Sequence, residues 1–208
     1  MMQKALRVAL SAALALTFAR SADAHIVASR LGDFYAGALH PLTDLQDVVL
    51  WIAVGLLAAS VAPAQGRWLV PVVPAGSLAG LITGLVFNIT SLSTVANAGL
   101  MIALGLLIAT AVRIPALVIG VLAFGMTWMR GIVNAGGVAA DTNQPLFAAG
   151  FTVAAYAVVT LLMAITVTFR APTAANGVGA WRGIAIRVCG SWIAAIGLMM
   201  GAFALAGR

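Results

Sequence analysis

The sequence predicts an all-α, polytopic membrane helix bundle of about six transmembrane helices behind a cleavable signal peptide. Three observations carry this. Hydrophobic residues make up 63% of the 208-residue chain, charged residues only 8%, and the mean hydropathy is +1.11. Soluble domains carry roughly 25% charged residues, so this chain has too little charge to cover a water-facing surface. Several apolar runs approach the roughly 20 residues that a helix needs to cross a hydrocarbon core of about 30 Å. These runs are continuous, whereas a membrane barrel would alternate polarity in segments of about ten residues.

The elements follow in order. Lys4 and Arg7 precede a short apolar stretch, Val8 to Phe18, and the small-x-small sequence Ala22-Asp23-Ala24. That is the layout of a secretory signal peptide, which divides the chain into a signal of residues 1–24 and a single transmembrane domain, 25–208. Residues 25–44 form a partly polar lead-in. Spans are expected over Leu45–Ala62, Trp68–Phe87, Val95–Val112, Ile114–Trp128 with an extension toward Asn134, Leu146–Phe169 and Ile184–Ala206. Pro71 and Pro74 interrupt the start of the second. Arg113-Ile114-Pro115 marks a tight turn, because proline disfavours a helical residue before it. Gly76, Gly80 and Gly84 recur every four residues, as do Gly197 and Gly201, and such ridges let two helix backbones approach closely.

The net charge of +6 does not point to nucleic acid, since the eleven Lys and Arg residues are scattered singly and form no basic face. They act as topology determinants. With residue 25 exported, Arg67, Arg113, Arg170, Arg182 and Arg187 fall on the cytoplasmic side. Arg30, Arg130 and Arg208 fall outside, together with Asp33, Asp44, Asp47 and Asp141. This predicts a multi-pass protein of a bacterial inner membrane with both mature termini external. The single cysteine, Cys189, has no intrachain partner and fits a small buried residue.

The strongest local feature is His40-Pro-Leu-Thr-Asp44-Leu-Gln-Asp47. With Pro41 in a first helical turn, His40, Asp44 and Asp47 are spaced by four and three residues and share one face. An imidazole with two carboxylates suits a borderline divalent ion such as nickel, cobalt or zinc. The other reading is a cap, with acids favoured by the helix dipole at its N-terminus. Cleavage after Ala24 would leave His25 with a terminal amine and an imidazole, either a second chelating group or an incidental histidine beside the cleavage site. Arg130, four residues before Asn134, is placed to pair with Asp47 or Asp44 as a latch across the bundle. Asn88 and Asn97 are expected to bond between helices. Phosphate-loop, nucleophile-elbow and His–Glu zinc motifs are absent, and no nucleophile–base pair points to an enzyme.

The segment Phe34-Tyr-Ala-Gly-Ala-Leu-His40-Pro-Leu-Thr-Asp44-Leu-Gln-Asp47, continuing to Gly55, resembles the opening of HupE/UreJ proteins, accessory membrane proteins of hydrogenase and urease systems. The resemblance extends through the Leu-Gly-Leu-Leu-Ile-Ala third span, the Arg-Ile-Pro turn and the Gly-rich last helix. It implies about six spans and a role in uptake of nickel, or of cobalt, into the cytoplasm. The motif residues depart from the family pattern. The family's F-x-x-G-x-x-H-P-x-x-G-x-D-H keeps His40 and Pro41, but its last Gly, Asp and His fall on Asp44, Gln46 and Asp47. Its F-H-G-x-A-H-G-x-E falls on Met129 to Gly137, with Arg130 and Asn134 at the His positions and Gly137 at the Glu position. A Glu early in the third span is replaced by Asn97. Two functions follow. One is a divalent-metal permease or acceptor using His40, Asp44, Asp47 and His25. The other is a divergent, non-transporting accessory or structural subunit, with a membrane protein or a second copy as partner.

Overall fold

The computed structural model describes residues 31–59, 63–89, 91–112, 114–170 and 179–207. The expected signal peptide, its cleavage site and His25 lie outside these residues. Among the described residues there are eight helices and no strand: α1 (Asp33–Thr43), α2 (Leu45–Ala58), α3 (Pro63–Leu69), α4 (Val72–Phe87), α5 (Thr94–Thr110), α6 (Ala116–Ala135), α7 (Gln144–Arg170) and α8 (Gly179–Ala206). The protein is an all-α membrane helix bundle. Four stretches are long and apolar enough to cross a bilayer: Gly66–Phe87, Ala116–Ala135, Gln144–Arg170 and Trp181–Ala206. The bent pair α1–α2 supplies a fifth if counted as one span. Helix α5 is apolar but has only 17 residues.

Helix α2 is the hub. Trp51, Ala53, Val54 and Ala58 are almost wholly buried against Val73 of α4, Met101 and Leu104 of α5, Ala123 of α6, and Ala155 and Val159 of α7. Around the hub the helices pack in three intimate pairs, α4 with α6, α5 with α8, and α1 with α7. Glycine makes each pair possible. A Cβ at Gly80 would overlap the Trp128 carbonyl of α6, and one at Gly131 would overlap the Ser77 carbonyl of α4. Gly105 and Gly190 lie against each other's backbones, and Gly37 and Gly150 sit on the Phe147 and Phe34 carbonyls. The expected Gly76-Gly80-Gly84 ridge therefore lies on α6, and Gly197 lies on α5.

Two expectations change. The lead-in is helical from Asp33, and α1 ends at Thr43 rather than continuing through Asp47. Pro41 lies in its last turn, where the Thr43 hydroxyl donates to the His40 carbonyl at 2.8 Å. Asp44 is extended (φ −93°, ψ 113°) and caps α2 by accepting from the Gln46 N–H at 2.8 Å. The chain bends by 79° there. His40 and the two aspartates consequently stand on different helices, not on one face, because a side-chain cap restarted the helix. The second change is Cys189, which is exposed. Helix α8 buries one seam, Ile186, Gly190, Ile193 and Gly197, and Cys189 points away from it.

Candidate functional site

Asp47 and Arg130 are the centre of a buried polar cluster at one end of the bundle. Asp47 lies in the first turn of α2 and is 1% exposed. Arg130 and Asn134 lie one turn apart near the end of α6, which runs on through Ala135. Arg130 Nε donates to Asp47 Oδ1 at 2.7 Å and Nη2 to Oδ2 at 3.1 Å, a two-point grip. Nη2 also donates to Asp44 Oδ2, and Nη1 to Gln46 Oε1 at 2.9 Å. Asn134 Nδ2 bridges Asp47 Oδ2 and the Arg130 carbonyl, each at 2.8 Å. Asn97 of α5 donates to Gln46 Oε1 at 2.7 Å, tying a third helix to the cluster. The expected latch is present and holds both aspartates.

Location explains the number of partners. A charge away from water is tolerated when it is paired and its remaining hydrogen-bonding groups are satisfied. Every carboxylate oxygen of Asp44 and Asp47 accepts a hydrogen bond here. The formal charge of the group is −1, from two carboxylates and one guanidinium. Asp47 and Arg130 side chains are 2% and 6% exposed, whereas Asp44 is 38% exposed and borders a cavity of about 270 Å³. Gln46, Thr94, Asn97 and Arg130 line that cavity too.

His40 is not in the ion-pair cluster. Its imidazole lies against Gly137, where a Cβ would overlap the ring, and its ring centre is 5.7 Å from that of Phe147. It occupies the last turn of α1, where a basic group complements the helix dipole. Among the described residues, no three His, Cys, Asp or Glu side chains are placed to hold a metal ion together.

The two motifs singled out in the sequence nevertheless meet. Asp47, Arg130 and Asn134 are mutually bonded, Gln46 and Asn97 join them, and His40 touches Gly137 one turn beyond Asn134. Gln46 was visible to sequence reading only through the family pattern, since a lone glutamine at a helix start carries no signal of its own. Asn97 was expected to bond between helices and does so. The arrangement clamps α2 to α6. A cation entering it as a ligand-bound ion has to displace a guanidinium, which stays protonated and is never itself a ligand.

Neither the curated proteins nor the solved structures gave a significant match. The family model described as "HupE / UreJ protein" matches residues 12–200. The chain belongs to the HupE/UreJ family.

Proposed function

We propose that this chain is a HupE/UreJ-type membrane accessory protein, not an enzyme, whose inherited ion site has become a fixed interhelical clamp. The observation that supports this most is the Arg130 guanidinium lodged between Asp44 and Asp47. It supplies the positive charge that a metal ion would supply, and it is covalently part of the protein. The accessory role then rests on a protein partner or a second copy in the membrane. We place the protein in a bacterial inner membrane with the signal of residues 1–24 removed and the Asp-bearing end outside.

A second reading, uptake or handling of nickel or cobalt, draws on the half-exposed Asp44, the formal excess of one negative charge, and His40 on the neighbouring helix. His25 adds a chelating terminus in that reading. Here Arg130 swings aside when the ion arrives.

Uptake of radioactive nickel and cobalt by cells expressing the protein separates the two. The clamp reading expects uptake equal to that of empty cells for the parent, with both the parent and a His40→Ala/Asp47→Ala variant present in the membrane. Saturable uptake by the parent that this variant loses would sink it and establish the metal reading. A companion measurement asks whether the positions are still competent. The triple variant Asp47→His/Arg130→His/Asn134→His is expected to gain saturable cobalt binding that the purified parent lacks, because these three side chains already converge.

A further inference from the structure

At the end of the bundle opposite the clamp, the charge pattern reverses. Arg67, Arg170, Arg182 and Arg187 all lie there, while the aspartates of the described residues lie at the clamp end. Three of these arginines hold helix ends. Arg170 donates to the Ala59 carbonyl at 2.8 Å, Arg187 to the Ala109 carbonyl at 2.7 Å, and Arg182 to the Phe169 carbonyl at 3.0 Å. Cations are favoured at helix C-termini, so these residues are fixed in place rather than trailing into water.

Arg182 has a further setting. Its guanidinium lies 5.6 Å from the ring centre of Phe169 and 5.9 Å from that of Trp181, and those two rings meet edge to face at 5.4 Å. Beside it, α7 and α8 diverge. Helix α8 packs along α5 and touches α7 only sparsely. The wedge between them is a cavity of about 450 Å³ lined by Ala164, Ile165, Thr168, Phe169 and Arg182. Among the described residues its floor is apolar and its head carries the Arg182 cation, while the Thr168 hydroxyl donates to the Ala164 carbonyl at 2.8 Å. Basic pockets between transmembrane helices recognise anionic lipid head groups, and an arginine fork suits phosphate oxygens.

We infer that this wedge seats an anionic glycerophospholipid, its phosphate at Arg182 and an acyl chain along Ala164 and Ile165. A zwitterionic lipid offers the same phosphate but brings its own cation beside Arg182, and a soluble phosphate satisfies the head but not the floor. The polar head group lies at the membrane end of α7, where Trp181, 51% exposed, stands as an interfacial aromatic.

The test is native mass spectrometry of the full chain purified in mild detergent and titrated with phosphatidylglycerol or phosphatidylcholine. The expected result is a preference for phosphatidylglycerol of about fivefold or more, the size of one basic residue at a membrane surface. Arg182→Gln is expected to abolish the preference, and Arg187→Gln, outside the wedge, to leave it. Ala164→Trp fills the floor without changing charge, and it should reduce retention of the lipid even if Arg182→Gln fails to fold. Equal retention of the two lipids by the parent overturns the proposal. So does retention of phosphatidylglycerol that Ala164→Trp leaves unchanged, or a preference lost equally in Arg187→Gln, since either describes diffuse surface charge.

Discussion

Arg130→Ala is expected to destabilise the folded protein by about 3–5 kcal/mol, the range for removing one partner of a buried ion pair. Asp47, whose side chain is 2% exposed in the parent, would keep Asn134 as its one remaining side-chain donor. The paired variant Asp47→Leu/Arg130→Met is expected to cost far less, because no orphan charge is left behind. Asp47→Leu alone should fall between, since Arg130 keeps Asp44 and Gln46. Denaturant-induced unfolding in detergent micelles, followed by helical circular dichroism, measures all three. A double variant as unstable as Arg130→Ala would mean that the clamp's charges are not what holds α2 to α6.

Gly80→Leu is expected to cost about 3 kcal/mol or more and to abolish recovery of monodisperse protein. The contact in question is backbone against backbone: the new Cβ falls on the Trp128 carbonyl, which no rotamer change can move. Gly99→Leu on α5 is the matched control, with nothing within 4 Å of its Cβ. That substitution should be neutral or slightly stabilising, because leucine is the better helix former. Size-exclusion profiles and melting temperatures of the two variants decide the matter. Similar behaviour of both would mean that α4 and α6 separate readily, contrary to their close packing.

Much of this was legible in the sequence because lipid imposes simple rules. Span boundaries follow from apolar length, and α4, α6 and α7 fall within a few residues of expectation. The glycine ridge on α4 was readable because period-four spacing has one meaning in a helix. The Asp47–Arg130 pair was readable because two charges in so apolar a chain have few places to go. Other features were hidden. The helix break at Asp44 depends on a cap whose side chain reaches the Gln46 N–H, and a sequence with aspartate near a helix start admits several registers. The exposure of Cys189 was missed because α8 is apolar on all sides. Hydropathy could not distinguish its one packed seam from its lipid-facing surface.

The short α5 bears on the membrane itself. Its 17 residues span about 25 Å at 1.5 Å per residue, less than a typical hydrocarbon core of about 30 Å. Ser93 and Thr94 open it beside the cavity that Asp44 borders, so the shortfall falls at the clamp end if the other end is anchored by Arg187. A bilayer meets such a mismatch by thinning locally. Head groups and water would then dip toward Asn97, and the clamp would lie under a shallow depression in the membrane rather than level with its surface. The polarity of this corner is thus matched by the thickness of the film around it: the helix too short to reach the interface brings the interface down to the charges.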